Sequence, residues 1–140
     1  MIKGIAHIGI CVNNIDKALE LLTKAAGARE LSRIHMPELR QVSSYVTMGE
    51  DGDTFELMES LCNTHGDAQG GTVADFLAKH GEGIHHISLK TDNLAEAVAA
   101  FESAGCKITG RTDDFAFVHP KTAFGVLYEL VQTKEKEVKN

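Results

Sequence analysis

The stretch GIAHIGICVNNIDKA (4–18) lies without a gap over GIHHISLKTDNLAEA (83–97), and this self-similarity decides the fold. Gly4 matches Gly83, Ile5 matches Ile84, His7 matches His86, Ile8 matches Ile87, Asn14 matches Asn93 and Ala18 matches Ala97. Further along, TFELM (54–58) lies over LYELV (127–131), pairing Glu56 with Glu129 and Leu57 with Leu130. Any two amphipathic segments share apolar positions. The polar matches are the informative ones, because each copy carries a histidine and a glutamate where a strand's default residue is apolar.

Within each copy the periodicity changes from two to about 3.6. IAHIGICV (5–12) alternates like a half-buried strand, and NNIDKALELLTKAAG (13–27) has helical spacing that stops at Gly27. SSYVTMG (43–49) and TFELMES (54–60) read as strands joined by the turn EDGD (50–53). In the second copy GIHHISLKT (83–91) reads as a strand and DNLAEAVAAFESAG (92–105) as a helix. FAFVHP (115–120) and GVLYELVQ (125–132) then read as strands. The expectation is an α+β protein of two tandem βαβββ modules in a single domain over 1–140. Module one covers about 1–62, a connector with a short helix in TVADFLAKHGEG (72–83) about 63–82, module two about 83–132, and a charged tail 133–140.

Strand alternation places His7, Gly9 and Cys11 on one face and Ala6, Ile8, Ile10 and Val12 on the other. His86 shares a face with Ser88 and Lys90, which favours it over His85 as the functional histidine; His85 reads as structural. Glu56 lies between Phe55 and Leu57, and Glu129 between Tyr128 and Leu130, so each carboxylate leaves its strand opposite bulky apolar neighbours. A buried glutamate without a partner is costly. Two imidazoles and two carboxylates form a donor set suited to Zn²⁺, Co²⁺, Mn²⁺ or Ni²⁺, so His7, Glu56, His86 and Glu129 are the candidate ligands of one divalent ion. His35, His65 and His80 have no mate in the other copy and read as solvated.

The composition is that of an ordinary globular chain of 140 residues, 43% hydrophobic and 24% charged. No apolar run approaches the roughly 20 residues that span a bilayer, and the first residues lack the features of a signal peptide. The cytoplasm is the expected compartment. Cys11, Cys62 and Cys106 are odd in number and lack CxxC spacing, so reduced thiols are expected. A net charge of −6, without a basic stripe, gives no reason to expect nucleic acid as a partner.

The chain resembles the vicinal oxygen chelate superfamily, and within it the methylmalonyl-CoA epimerase branch. The resemblance is carried by IAHIGICVNNIDKAL (5–19), TFELMESL (54–61), FLAKHGEGIHHISLKTDN (76–93) and FVHPKTAFGVLYEL (117–130). It implies a cupped mixed sheet around one divalent metal held by His7, Glu56, His86 and Glu129, and a homodimer. The implied substrate is an acyl-CoA thioester, inverted at C2 by removal of its α-proton through a metal-stabilised enediolate. Glu129 is the first candidate base, with Glu56 serving the second face. Lys121, in HPK (119–121), is a candidate contact to the thioester or CoA phosphates, as is His119.

The chain departs from some relatives at Ser43, where they carry a non-ligand glutamate. It departs again in GRTDDFAFVHP (110–120), which is shorter than usual and lacks a Gly-rich turn near the acyl pocket. The same fold also serves glyoxalase I-like lyases acting on hemithioacetals and metal-free small-molecule-binding modules, and fold alone does not separate them.

Overall fold

The computed structural model describes residues 1–50, 52–61 and 70–134. Cys62, the first part of the connector (63–69, with His65) and most of the charged tail lie outside the described residues. Strands β1 (Ile2–Cys11), β2 (Arg29–Met36), β3 (Gln41–Met48) and β4 (Asp53–Ser60) flank helix α1 (Ile15–Ala26). Helix α2 (Thr72–His80) then leads into β5 (Gly83–Thr91), α3 (Leu94–Ser103), β6 (Ile108–Thr109), β7 (Phe115–Val118) and β8 (Tyr128–Gln132). The described residues are therefore α+β, with the βαβββ order twice over. The hydrogen-bonded strand order is β2-β3-β4-β1-β5-β8-β7-β6, in which each half repeats the same sequence of neighbours.

The chain divides into two compact units, one of Met1–Ala6 with the chain from His86 onward, the other of His7–His85. In the His7–His85 unit, Val12, Ile15, Ala28, Val46 and Leu57 form a buried cluster, against which Ile10, Ala18, Leu19, Leu22 and Phe55 pack. This is the helix-covered side that the alternation of β1 predicts. A second cluster joins Cys11 and Met58 to Val73 of α2, with Phe76 and Leu77 alongside. The His7 face of the strand is thus covered too, at its far end, by the connector helix. His85 stacks edge-on to Phe76, with ring centroids 5.2 Å apart, in keeping with a structural role.

In the other unit, Leu94, Ala97 and Val98 of α3 bury Ala116, Val118 and Leu130 of the sheet. The pairing of Asn14 with Asn93 in the repeat has a concrete meaning. Asn14 accepts a hydrogen bond from the Lys17 amide at 2.9 Å, and Asn93 accepts one from the Glu96 amide at 3.0 Å, so each starts its helix as N-cap. Gly27 closes α1 in the left-handed region (φ 66°), its amide donating to the Thr23 carbonyl while the Ala28 amide donates to that of Leu22.

Strand β2 is absent from the sequence expectation. Its burial explains why: seven of its eight residues are exposed, so RELSRIHM carries no alternation of apolar and polar positions. It is held by backbone pairing to β3 and by Arg33, whose guanidinium bonds Glu30 and Asp16, each at 2.8 Å. The two-residue β6 escapes notice by its length.

Leu130 is fully buried in the α3-side cluster. Truncating it should leave a cavity the sheet cannot close, so Leu130→Ala is expected to lower unfolding free energy by about 2–5 kcal/mol in urea titrations. A loss below about 1 kcal/mol would contradict this placement.

Candidate functional site

Parallel strand pairing builds the same frame in each module. In β1 and β4, Gly9 stands opposite Glu56, flanked by the pairs Ile8–Phe55 and Ile10–Leu57. In β5 and β8, Ser88 stands opposite Glu129, flanked by Ile87–Tyr128 and Leu89–Leu130. His7 lies two residues before Gly9 and His86 two residues before Ser88. With a period of two, each histidine therefore shares a face with its module's glutamate.

In module one the two meet directly: His7 Nε2 is 3.2 Å from Glu56 Oε1. Glu56 is buried, at 6% exposure, and its other oxygen, Oε2, accepts hydrogen bonds from Ser43 Oγ at 2.8 Å and Tyr45 Oη at 3.4 Å. Gln41 Nε2 in turn donates to Ser43 Oγ at 3.1 Å, and both residues are buried. The Tyr45 ring stands edge-on to His7, with centroids 5.9 Å apart. These contacts fix the carboxylate's orientation, with one oxygen toward the imidazole and the other toward hydroxyls. Ser43, which departs from the glutamate of some relatives, is here a donor to a candidate ligand rather than an acid or base.

In module two, His86 is buried at 5% exposure, and fully buried Ser88 donates to Glu129 Oε1 at 3.1 Å. Glu129 is half-buried. The donors Ser43, Tyr45 and Ser88 are not marked by the self-similarity, because Gly9, Phe115 and Phe117 occupy the matching places. The strand register is the signal that finds them. By donor chemistry, imidazole nitrogens and carboxylate oxygens of this kind suit a borderline divalent cation.

His119 and Lys121 fall elsewhere in chemical terms. His119 Nδ1 accepts from the Lys121 amide at 3.1 Å and caps the short 3₁₀ turn Pro120–Thr122, while Lys121 is exposed. His35 and His80 are exposed, as expected of solvated side chains. No helix among the described residues is long and apolar enough to cross a membrane.

Against known proteins, residues 6–124 match the glyoxalase/bleomycin resistance protein/dioxygenase superfamily. The chain belongs to that superfamily. Among its relatives is the mitochondrial methylmalonyl-CoA epimerase of Homo sapiens, 29% identical over 90% of this chain and 72% of that protein. The crystal structure of methylmalonyl-CoA epimerase from Mycobacterium tuberculosis has the same fold, with a TM-score of 0.81 over 96% of this chain and 90% of that one, at 24% identity. A variant of the Streptomyces coelicolor methylmalonyl-CoA epimerase, in complex with 2-nitronate-propionyl-CoA, is 25% identical, with a TM-score of 0.79 over 96% of this chain and 100% of that chain.

Cys11 lies two residues beyond Gly9 on the same strand face, fully buried. Burial, reinforced by the negative charge of Glu56, pushes its thiol up to about 12. The folded chain therefore holds the Cys11 proton more tightly than the unfolded one. The resulting stabilisation is complete below the unfolded thiol's pKa and is lost as pH rises toward 12. Iodoacetamide at pH 8 is expected to label half-buried Cys106 well before Cys11 in the native protein, as read by peptide mass spectrometry. Equal labelling rates would contradict the burial of Cys11.

Proposed function

We propose that the protein is a metal-dependent epimerase that inverts C2 of methylmalonyl-CoA or a closely related acyl-CoA. The observation that carries this reading is the twice-built frame, a histidine and a glutamate held in the same register in both modules. It is supported by relatives that are methylmalonyl-CoA epimerases, one of them bound to an acyl-CoA analogue.

In this proposal His7, Glu56 and His86, joined by Glu129, are the ligands of one divalent cation, and the two modules act as one domain. When bound, the cation supplies a fixed positive charge where negative charge develops on the thioester and carboxylate oxygens. Everything else falls to the protein's own side chains. Ser43 and Tyr45 hold Glu56 as an oriented ligand, with Oε2 occupied by hydroxyls. Glu129, braced by Ser88, takes the α-proton, because a half-buried carboxylate keeps the access that a substrate hydrogen requires. Glu56 answers for the opposite face of C2. Lys121, exposed on the turn that His119 caps, offers a cation to the CoA phosphates. The proposal includes a homodimer, as the family resemblance implies, and the cytoplasm as the compartment expected from the sequence.

Two measurements test this. Metal analysis of the purified protein is expected to find one divalent ion per chain, lost or greatly weakened in both His86→Ala and Glu129→Ala. Undiminished affinity in both variants would sink the ligand assignment. Incubation with methylmalonyl-CoA in D₂O is expected to exchange the C2 hydrogen, with a fall of about 100-fold or more in Glu129→Gln. No exchange by metal-loaded protein, together with turnover of a hemithioacetal, would replace the epimerase by a glyoxalase-type lyase.

A further inference from the structure

The rows of residues that cross the sheet at the two glutamates differ in a way that bears on substrate choice. In module one the row runs Gly9, Glu56, Tyr45, with Ser43 two residues before Tyr45 on the same strand face. In module two it runs Ser88, Glu129, Phe117, with Phe115 in the place of Ser43, since Phe115 pairs with Val131 as Ser43 pairs with Met58. The β3 neighbours of Glu56, Ser43 and Tyr45, turn hydroxyls to it, whereas the matching β7 residues beside Glu129, Phe115 and Phe117, have none.

Phe115 and Phe117 are half-buried, and their rings meet at 67° with centroids 5.6 Å apart. Their strand neighbours Ala116 and Val118 are buried under α3, so the two rings stand on the sheet face opposite that helix, with Glu129. Gly110 keeps the Phe117 ring in place. A Cβ there would come within 3.2 Å of Phe117 Cδ2, and the residue has a φ of 61° that L side chains rarely adopt. The short 110–120 segment thus delivers a glycine where the ring needs room.

We propose that Phe115 and Phe117 form the wall that receives the alkyl substituent on C2 of a 2-alkylmalonyl thioester, and so set which acyl group is accepted. The proposal rests on the epimerase reading above and on Glu129 as the base. A base must come within hydrogen-bond reach of the hydrogen it removes. The alkyl group is bonded to the same carbon, so it lies against whatever flanks that base. On one side is the Ser88 hydroxyl and on the other the Phe117 ring. An alkyl group loses least by leaving water against the ring, while the thioester and carboxylate oxygens keep the polar side.

The test uses metal-loaded wild type, Phe117→Ala, Phe117→Leu and Phe115→Ala with methylmalonyl-, ethylmalonyl- and butylmalonyl-CoA, reading α-hydrogen exchange as kcat/KM. One methylene in an apolar pocket is worth about 10–200-fold in discrimination. Phe117→Ala is therefore expected to shift the butyl-to-methyl ratio toward the longer substituent by about 10-fold or more, with Phe117→Leu between it and wild type. Calorimetric affinities of the unreactive thioesters propionyl-CoA and pentanoyl-CoA should move in the same direction. Phe117→Leu preserves an apolar side chain, so it keeps the test valid if Phe117→Ala fails to fold. Equal losses on all three substrates, with the ratio unchanged within about twofold, would overturn the assignment and leave the rings a packing role. A wild type inert toward every thioester would overturn instead the reading on which the assignment rests.

Discussion

A carboxylate carried on a strand between two residues committed to the core is the constraint around which this protein is arranged. Glu56 cannot turn toward solvent without dragging Phe55 and Leu57 out of the helix-covered cluster. Its charge must therefore be met where it stands. The structure meets it with an imidazole at 3.2 Å and with hydroxyls from Ser43 and Tyr45, and Gln41 braces Ser43 from behind. A buried carboxylate oriented in this way is a preorganised acceptor, since its desolvation is borne by the fold. The cores on the helix side and the polar rows on the other side are two consequences of one alternation.

Much of this was legible from the amino-acid order. The self-match of 4–18 with 83–97 located both helices and their opening strands. The alternation around His7 and Glu56 chose the correct faces, because apolar neighbours on both sides of a polar residue leave a strand only one way to lie. Asn14 and Asn93 stood out as matches without revealing their purpose, which is capping. What stayed hidden has a common cause. Strand β2 is exposed almost throughout, so no burial pattern marks it, and only its pairing with β3 makes it a strand. Ser43, Tyr45 and Ser88 act across strands, and cross-strand neighbours depend on register, which periodicity within one segment does not encode. The cover that α2 places over Cys11 is likewise a tertiary fact, invisible from the strand alone.

The two modules keep their skeleton and differ in their lining. The helix N-caps, the register and the placing of each histidine two residues before the residue opposite its glutamate are common to both, whereas the neighbours on the adjacent antiparallel strand carry hydroxyls (Ser43, Tyr45) in one and are phenylalanines (Phe115, Phe117) in the other. That division matches the physical roles. Caps and register hold up the backbone, where a change costs stability in either copy, while lining residues face whatever enters and are free to diverge.

The parallel register has a consequence for how such a chain can change over generations. Side chains on a strand alternate between faces, so adding or deleting one residue inside β4 or β8 would send the glutamate to the helix side and a leucine to the polar side. No gradual route connects the two arrangements. These strands are thus open to revision by substitution but closed to revision by length, and variation in size is confined to the segments between them, such as 110–114 before β7. The inheritance of the frame is, in that sense, digital, while the inheritance of its lining is continuous.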